Sequence, residues 1–229
     1  PQGYYISWER CCRNYQTINI VHQNFSGAYI SGQTFYTEFP PISKNGVAFS
    51  NSTPHLTPVT SEYLCRNNII QIDFSGIDFD GDSLSYRLVT PLKGHTTEAN
   101  SQPLYPDSAP YDSIGWNGGF GVVNAIPGNP PLNINKYTGV LTVNPSMNGL
   151  FAFAVACSEF RNGVKIGEIR RDYQYLIKDC PVNYAPSVGL QKAPGNTNWG
   201  GATNPDTASH GRRPFARLGL WHLDQRIAS

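Results

Sequence analysis

Three carboxylates recur at alternate positions in Asp78-Phe79-Asp80-Gly81-Asp82. Held that close they repel one another unless water or a cation bridges them, and hard oxygen ligands at this spacing suit Ca²⁺. Gly81 lets the backbone turn tightly between them. The same residues also suit a plain surface turn, because Asp and Gly favour turns without any metal. An EF-hand is excluded, since its loop places Gly sixth and Glu twelfth, whereas here Gly81 is fourth and Val89 twelfth. Ser83-Leu84-Ser85-Tyr86 then alternates as a strand does, which sets the aspartates at the mouth of a strand.

Other chemistry has weaker footing. The chain holds no G-x-S-x-G, no HExxH and no compact His/Cys spacing, and His22, His55 and His95 are scattered. A glycoside hydrolase needs only two carboxylates about 5 to 10 Å apart, and outside the aspartate corner Glu9, Glu159 and Asp172 are the candidates. The competing reading pairs Glu159 with Arg161, Arg170 or Arg171 as charges flanking a sheet edge. Trp116, Tyr105, Tyr111 and Phe120 fall in a long irregular loop, where aromatic rings either stack on a ligand such as a sugar or fold back as a lid over the sheet edge. Trp8, beside Cys11 and Cys12, is expected in the core.

The elements that must position these groups are strands. Charged residues make up only 14% of the 229, against 22 Gly, 18 Pro, 13 Tyr, 11 Phe and 4 Trp. Many turns and aromatics with few helix formers imply an all-β fold. A formal charge of +1 gives no reason to expect nucleic acid as partner. No apolar run approaches the roughly 18 residues of a membrane span. Five cysteines without a CxxC pair argue for disulfides in an exported protein and leave at least one thiol unpaired or paired between chains.

Strands are expected at 3–10, 17–21, 33–39, 47–49, 69–74, 84–89, 132–135, 140–143, 150–157 and 169–177, with Asn162-Gly163 as a hairpin turn. The first 55 residues form a partial β domain in this reading, 56–182 a β-sandwich reached through the extended connector Asn51-Ser52-Thr53-Pro54, and 183–229 a linker or non-native tail. That tail carries five Lys/Arg against two Asp/Glu and no strand alternation. An open half-sandwich would expose a strand edge, and homodimerisation through that edge is expected.

The order DFDGDSLSY, LNINKYTGVLTVNP, GLFAFAVACSE resembles the putative-Ig or cadherin-like modules of bacterial surface proteins over roughly residues 60 to 180. The segments WERCCRN and SEFRNGVKIGEIRRDYQYLIKDC resemble the large secreted proteins of Bacteroidetes that carry gliding-motility-associated C-terminal sorting domains and leave the cell by the type IX system. The resemblance implies an Ig-like or cadherin-like sandwich with Ca²⁺ held by Asp78, Asp80 and Asp82. It implies an adhesion or structural role on the bacterial cell surface, with a glycan or a protein surface as ligand. The family pattern carries a Cys at the position of Val89, and its loss would account for the odd count.

Overall fold

The computed structural model describes residues 3–24, 26–59, 63–105 and 107–181; the expected tail at 183–229 lies outside the described residues. In chain order the strands are β1 (Tyr4–Arg10), β2 (Gln33–Phe39), β3 (Ser43–Lys44), β4 (Val47–Ala48), β5 (His55–Leu56), β6 (Tyr63–Cys65) and β7 (Ile70–Asp73). There follow β8 (Gly76–Ile77), β9 (Ser83–Val89), β10 (Asn133–Ile134), β11 (Val140–Val143), β12 (Gly149–Arg161) and β13 (Val164–Lys178). A single 3₁₀ turn at Val122–Asn124 interrupts the long loop between β9 and β10. The fold is all-β. Among the described residues no helix is long and apolar enough to cross a membrane.

The larger sheet has the order β1-β2-β13-β12-β9, each neighbour antiparallel, and the smaller has β10-β11-β7. β12 and β13 form the central hairpin, turning at Asn162 and Gly163, which both adopt positive φ as the Asn-Gly pair allows. β12 buries both of its faces, which is why its sequence runs apolar without alternation. Phe151, Phe153 and Val155 point into the main core with Leu141, Val143 and the β7 residues Ile70 and Ile72. On the opposite face Ala152 packs under Ile20, Ile114 and Trp116.

Two expectations about the first part of the chain are corrected. β1 and β2 are not a separate partial domain: β2 pairs with β13 at Glu168, Ile169 and Arg170, so residues 1–55 supply the outer strands of the same sheet. Residues 1–181 accordingly form one compact unit. The physical reason is the length of β13, whose 15 residues accommodate β12 along one side while the other side takes β2 at one end and β6 in parallel at the other.

Nor do residues 17–21 form a strand. They make single bridges, Thr17 with Leu150 and Ile20 with Trp116, because the Asn19 side chain does the pairing instead. Its amide donates to the carbonyls of Ala125 (2.9 Å) and Ala152 (2.7 Å) and accepts the Ala152 N–H (2.9 Å), standing in for a peptide group beside β12.

Cys65 and Cys180 are disulfide-bonded, joining β6 to the end of β13, and Cys11 is bonded to its neighbour Cys12. Cys157 is the leftover thiol. It is buried, and burial pushes it up to about 12, so it stays protonated and unreactive.

Candidate metal centre

The acidic corner is built by three segments that meet at one end of the sandwich. β8 delivers Asp78, and the turn to β9 winds around that residue's own carboxylate: Asp78 Oδ1 accepts the N–H groups of Asp80 (2.9 Å) and Asp82 (3.0 Å). Gly81, at φ +81°, closes the turn. This Asx arrangement leaves Asp78 Oδ2 buried and without a hydrogen-bond partner among the described residues. One ligand oxygen from each of Asp78, Asp80 and Asp82 lies within 4.8 Å of the others. A single ion with oxygen ligands at about 2.4 Å spans such a set.

The second segment is the connector before β5. Asp80 Oδ2 accepts a hydrogen bond from the Ser52 hydroxyl (2.8 Å) and another from the Ser52 N–H, and these hold the Asp80 carboxyl below its ordinary range. The third is the β12–β13 hairpin. Arg161 grips Asp82 with both arms of its guanidinium, Nε to Oδ1 at 2.8 Å and Nη2 to Oδ2 at 2.6 Å. It also donates to the Ser50 carbonyl (2.9 Å) and to Asn51 Oδ1 (2.7 Å), and it lies over the Phe49 ring.

Glu159 completes the corner from below, opposite Leu84 in the β12–β9 ladder. Its side chain is 1% exposed and Oε1 has no partner among the described residues. Burial first, then the charges of Asp78 and Asp82, pushes its carboxyl up to about 7, against an opposing pull from Asn51. The sequence offers Glu159 either as a catalytic candidate or as the partner of Arg161, Arg170 or Arg171. Arg161 belongs to Asp82, Arg170 to Glu168, and Arg171 reaches the Thr57 carbonyl. Arg161 thus opposes Asp80 and Asp82, while Asp78 Oδ2 and Glu159 Oε1 stay buried without a hydrogen-bond partner among the described residues.

Glu9, Glu159 and Asp172, the carboxylates expected as a hydrolase set, share no partner. Glu9 is buried and anchors the long loop, accepting the N–H groups of His95 (2.8 Å) and Asp107 (3.3 Å). Gly94, at φ +64°, runs so close that a Cβ there would collide with the Glu9 carboxylate. Asp172 receives both arms of Arg13, a fully buried guanidinium that also donates to the carbonyls of Gly32 (2.9 Å) and Leu92 (3.0 Å).

The loop aromatics do not gather into one platform. Trp116 and Phe120 turn inward against the core, and the Tyr111 hydroxyl is tied to Ser7 (2.6 Å) and to the Asp107 carbonyl. Tyr105 alone points outward, 82% exposed. Trp8, expected in the core, is instead half exposed on β1. What the sequence holds but the candidate list does not use is the β12 alternation, which puts Glu159 in phase with Phe151, Phe153 and Val155 and so on the core face.

No family model, no curated protein and no solved structure matches the chain.

Proposed function

We propose that this chain is an exported structural or adhesion module of a bacterial cell surface, a β-sandwich whose acidic corner takes Ca²⁺. The observation that carries the reading is the buried, unpartnered Asp78 Oδ2 in a corner where ligand oxygens of Asp78, Asp80 and Asp82 lie within 4.8 Å of one another. A buried carboxylate oxygen without a partner is costly, and a divalent cation would supply the missing partner. Asp78, Asp80 and Asp82 would hold the ion, Asp82 shared between it and Arg161, with backbone carbonyls or water completing the six to eight oxygens that Ca²⁺ takes.

What the ion would do is structural. Arg161 and Ser52 already tie the connector at residues 50–52 to the β8–β9 turn and to the β12–β13 hairpin. A bound cation would lock these three segments into one rigid corner, as suits a module that transmits load or presents a surface. A hydrolase fits less well, because Glu159 is too buried to reach a glycosidic bond and Glu9 and Asp172 are consumed by loop anchoring and by Arg13. Two disulfides suit an oxidising compartment outside the cytosol. A glycan or a protein surface is the ligand class this role implies.

Calorimetric melting in excess chelator and in millimolar Ca²⁺ tests the reading. The midpoint should rise with Ca²⁺, and the rise should vanish in Asp78→Asn and in Asp80→Asn. An unchanged midpoint in the unsubstituted protein would sink the proposal.

A further inference from the structure

We propose that the outer hairpin of the larger sheet, β1 with β2, is the interface of a two-fold symmetric homodimer formed face to face with a second copy of this chain. The proposal does not rest on the acidic corner or on Ca²⁺.

The core-facing side of the larger sheet continues without a break onto this hairpin. Cys157 on β12 stands opposite Ile169 on β13, Ile169 opposite Thr37 on β2, and Thr37 opposite Ile6 on β1. Residues two apart share a face of a strand, so Tyr4, Ile6 and Trp8 with Phe39, Thr37 and Phe35 extend the same surface that the smaller sheet covers over β12 and β13. Among the described residues the smaller sheet has three strands and stops short of β1 and β2. The overhang is left exposed: Tyr4 52%, Ile6 65%, Trp8 46% and Phe35 36%.

The other face of the hairpin is largely covered by the long loop, although Tyr5 stays 41% exposed there. There Ser7 and Glu9 bind the loop at Tyr111, His95 and Asp107, and Tyr36 meets Tyr111 edge-on.

A second copy is the occupant that the chemistry selects. Tyr4 pairs with Phe39 at one end of the patch (ring centroids 6.0 Å apart) and Trp8 with Phe35 at the other (5.5 Å), with Ile6 and Thr37 between. A two-fold axis through the centre would set the Tyr4/Phe39 end of one copy on the Trp8/Phe35 end of the other, which is the self-complementarity an isologous contact demands. The patch bears no carboxylate or amide at its centre to orient a sugar or other small polar ligand.

Its four exposed side chains offer about 400 Å² per copy, given 150 to 250 Å² for each large side chain. With the partly exposed Phe39 and Thr37 added, two copies bury roughly 1,000 Å² in all, the lower bound of a specific interface. A reversible, weak dimer is the expected result.

Sedimentation velocity over a concentration series of the full 229-residue chain, with Ile6→Asp and Trp8→Asp alongside, tests this. The unsubstituted protein should pass from monomer to dimer with rising concentration, and each variant should stay monomeric with a circular dichroism spectrum that shows the fold intact. A protein monomeric at its highest soluble concentration would overturn the proposal. So would a dimer that survives both substitutions, which would place the contact at the β1 edge or elsewhere. Binding of the monomer to an immobilised glycan series, lost in Trp8→Asp, would assign the patch to a ligand instead and equally overturn it.

Discussion

Glu168 shows how a single carboxylate decides the behaviour of its neighbourhood. In the β2–β13 ladder it stands directly opposite Glu38, a like-charge pairing that destabilises sheets. Lys165 resolves the conflict by reaching both, Glu168 at 2.7 Å and Glu38 at 3.3 Å, while Arg87 (2.7 Å) and Arg170 (2.9 Å) complete the shell around Glu168. Burial alone would raise the Glu168 carboxyl, but the hydrogen bonds from Lys165, Arg87 and Arg170 outweigh it and bring it from 4.5 to about 2. A carboxyl depressed in the folded state stabilises above its unfolded value, so this contribution is complete above pH of about 4.5 and is lost as pH falls from there through about 2. It amounts to roughly 3 kcal/mol. Urea unfolding midpoints across that acid range should fall more steeply in the unsubstituted protein than in Glu168→Gln, and parallel acid profiles would contradict the assignment. At this scale the sequence was partly legible. The spacing of Asp78, Asp80 and Asp82 located the corner, whereas Glu159, 77 residues beyond Asp82, joins it only through the pairing of β9 with β12.

Elements were legible where their residues repeat with a clean period. Gln33–Phe39 and Val140–Val143 alternate and are strands with the expected bounds. β12 and β13 run several residues beyond expectation, because the Asn162-Gly163 turn allows pairing up to Arg161 and from Val164. Residues 17–21 alternate equally well and yet are not a strand, since the Asn19 side chain takes the place of backbone pairing against β12. That substitution of a side chain for a strand makes Asn19 sensitive. Asn19→Ala removes three buried hydrogen bonds and strands the N–H and C=O of Ala152 and the C=O of Ala125. Each unsatisfied buried group costs about 1 to 3 kcal/mol, so a loss of roughly 3 kcal/mol is expected by chemical denaturation. Hydrogen exchange at the Ala152 amide should accelerate beyond the global change. An Asn19→Ala protein with the original stability and an equally slow Ala152 amide would show that water replaces the side chain without cost.

The molecule as a whole is held by contacts that join distant parts of the chain, and partner choice among strands was the part the sequence could not show. Alternation marks a strand but does not say that β2 lies beside β13, so the first 55 residues looked separable when they complete the sheet. The same long-range closure makes the Cys65–Cys180 disulfide important, because it links residues 115 apart and pins β6 against the last turn of β13. In the unfolded chain a cross-link over a loop of this size removes about 4 to 5 kcal/mol worth of conformational freedom. Beside it Arg66 pairs with Asp179 at 2.8 Å, an exposed contact worth at most about 1 kcal/mol, which cannot take over the closure. The paired replacement Cys65→Ser with Cys180→Ser should therefore lower unfolding free energy by about 4 kcal/mol, and fast proteolysis should first cut near β6. Replacing Cys11 and Cys12 together closes no such loop and should cost far less. Equal losses in the two double variants would mean that local geometry, and not loop closure, sets what these disulfides contribute.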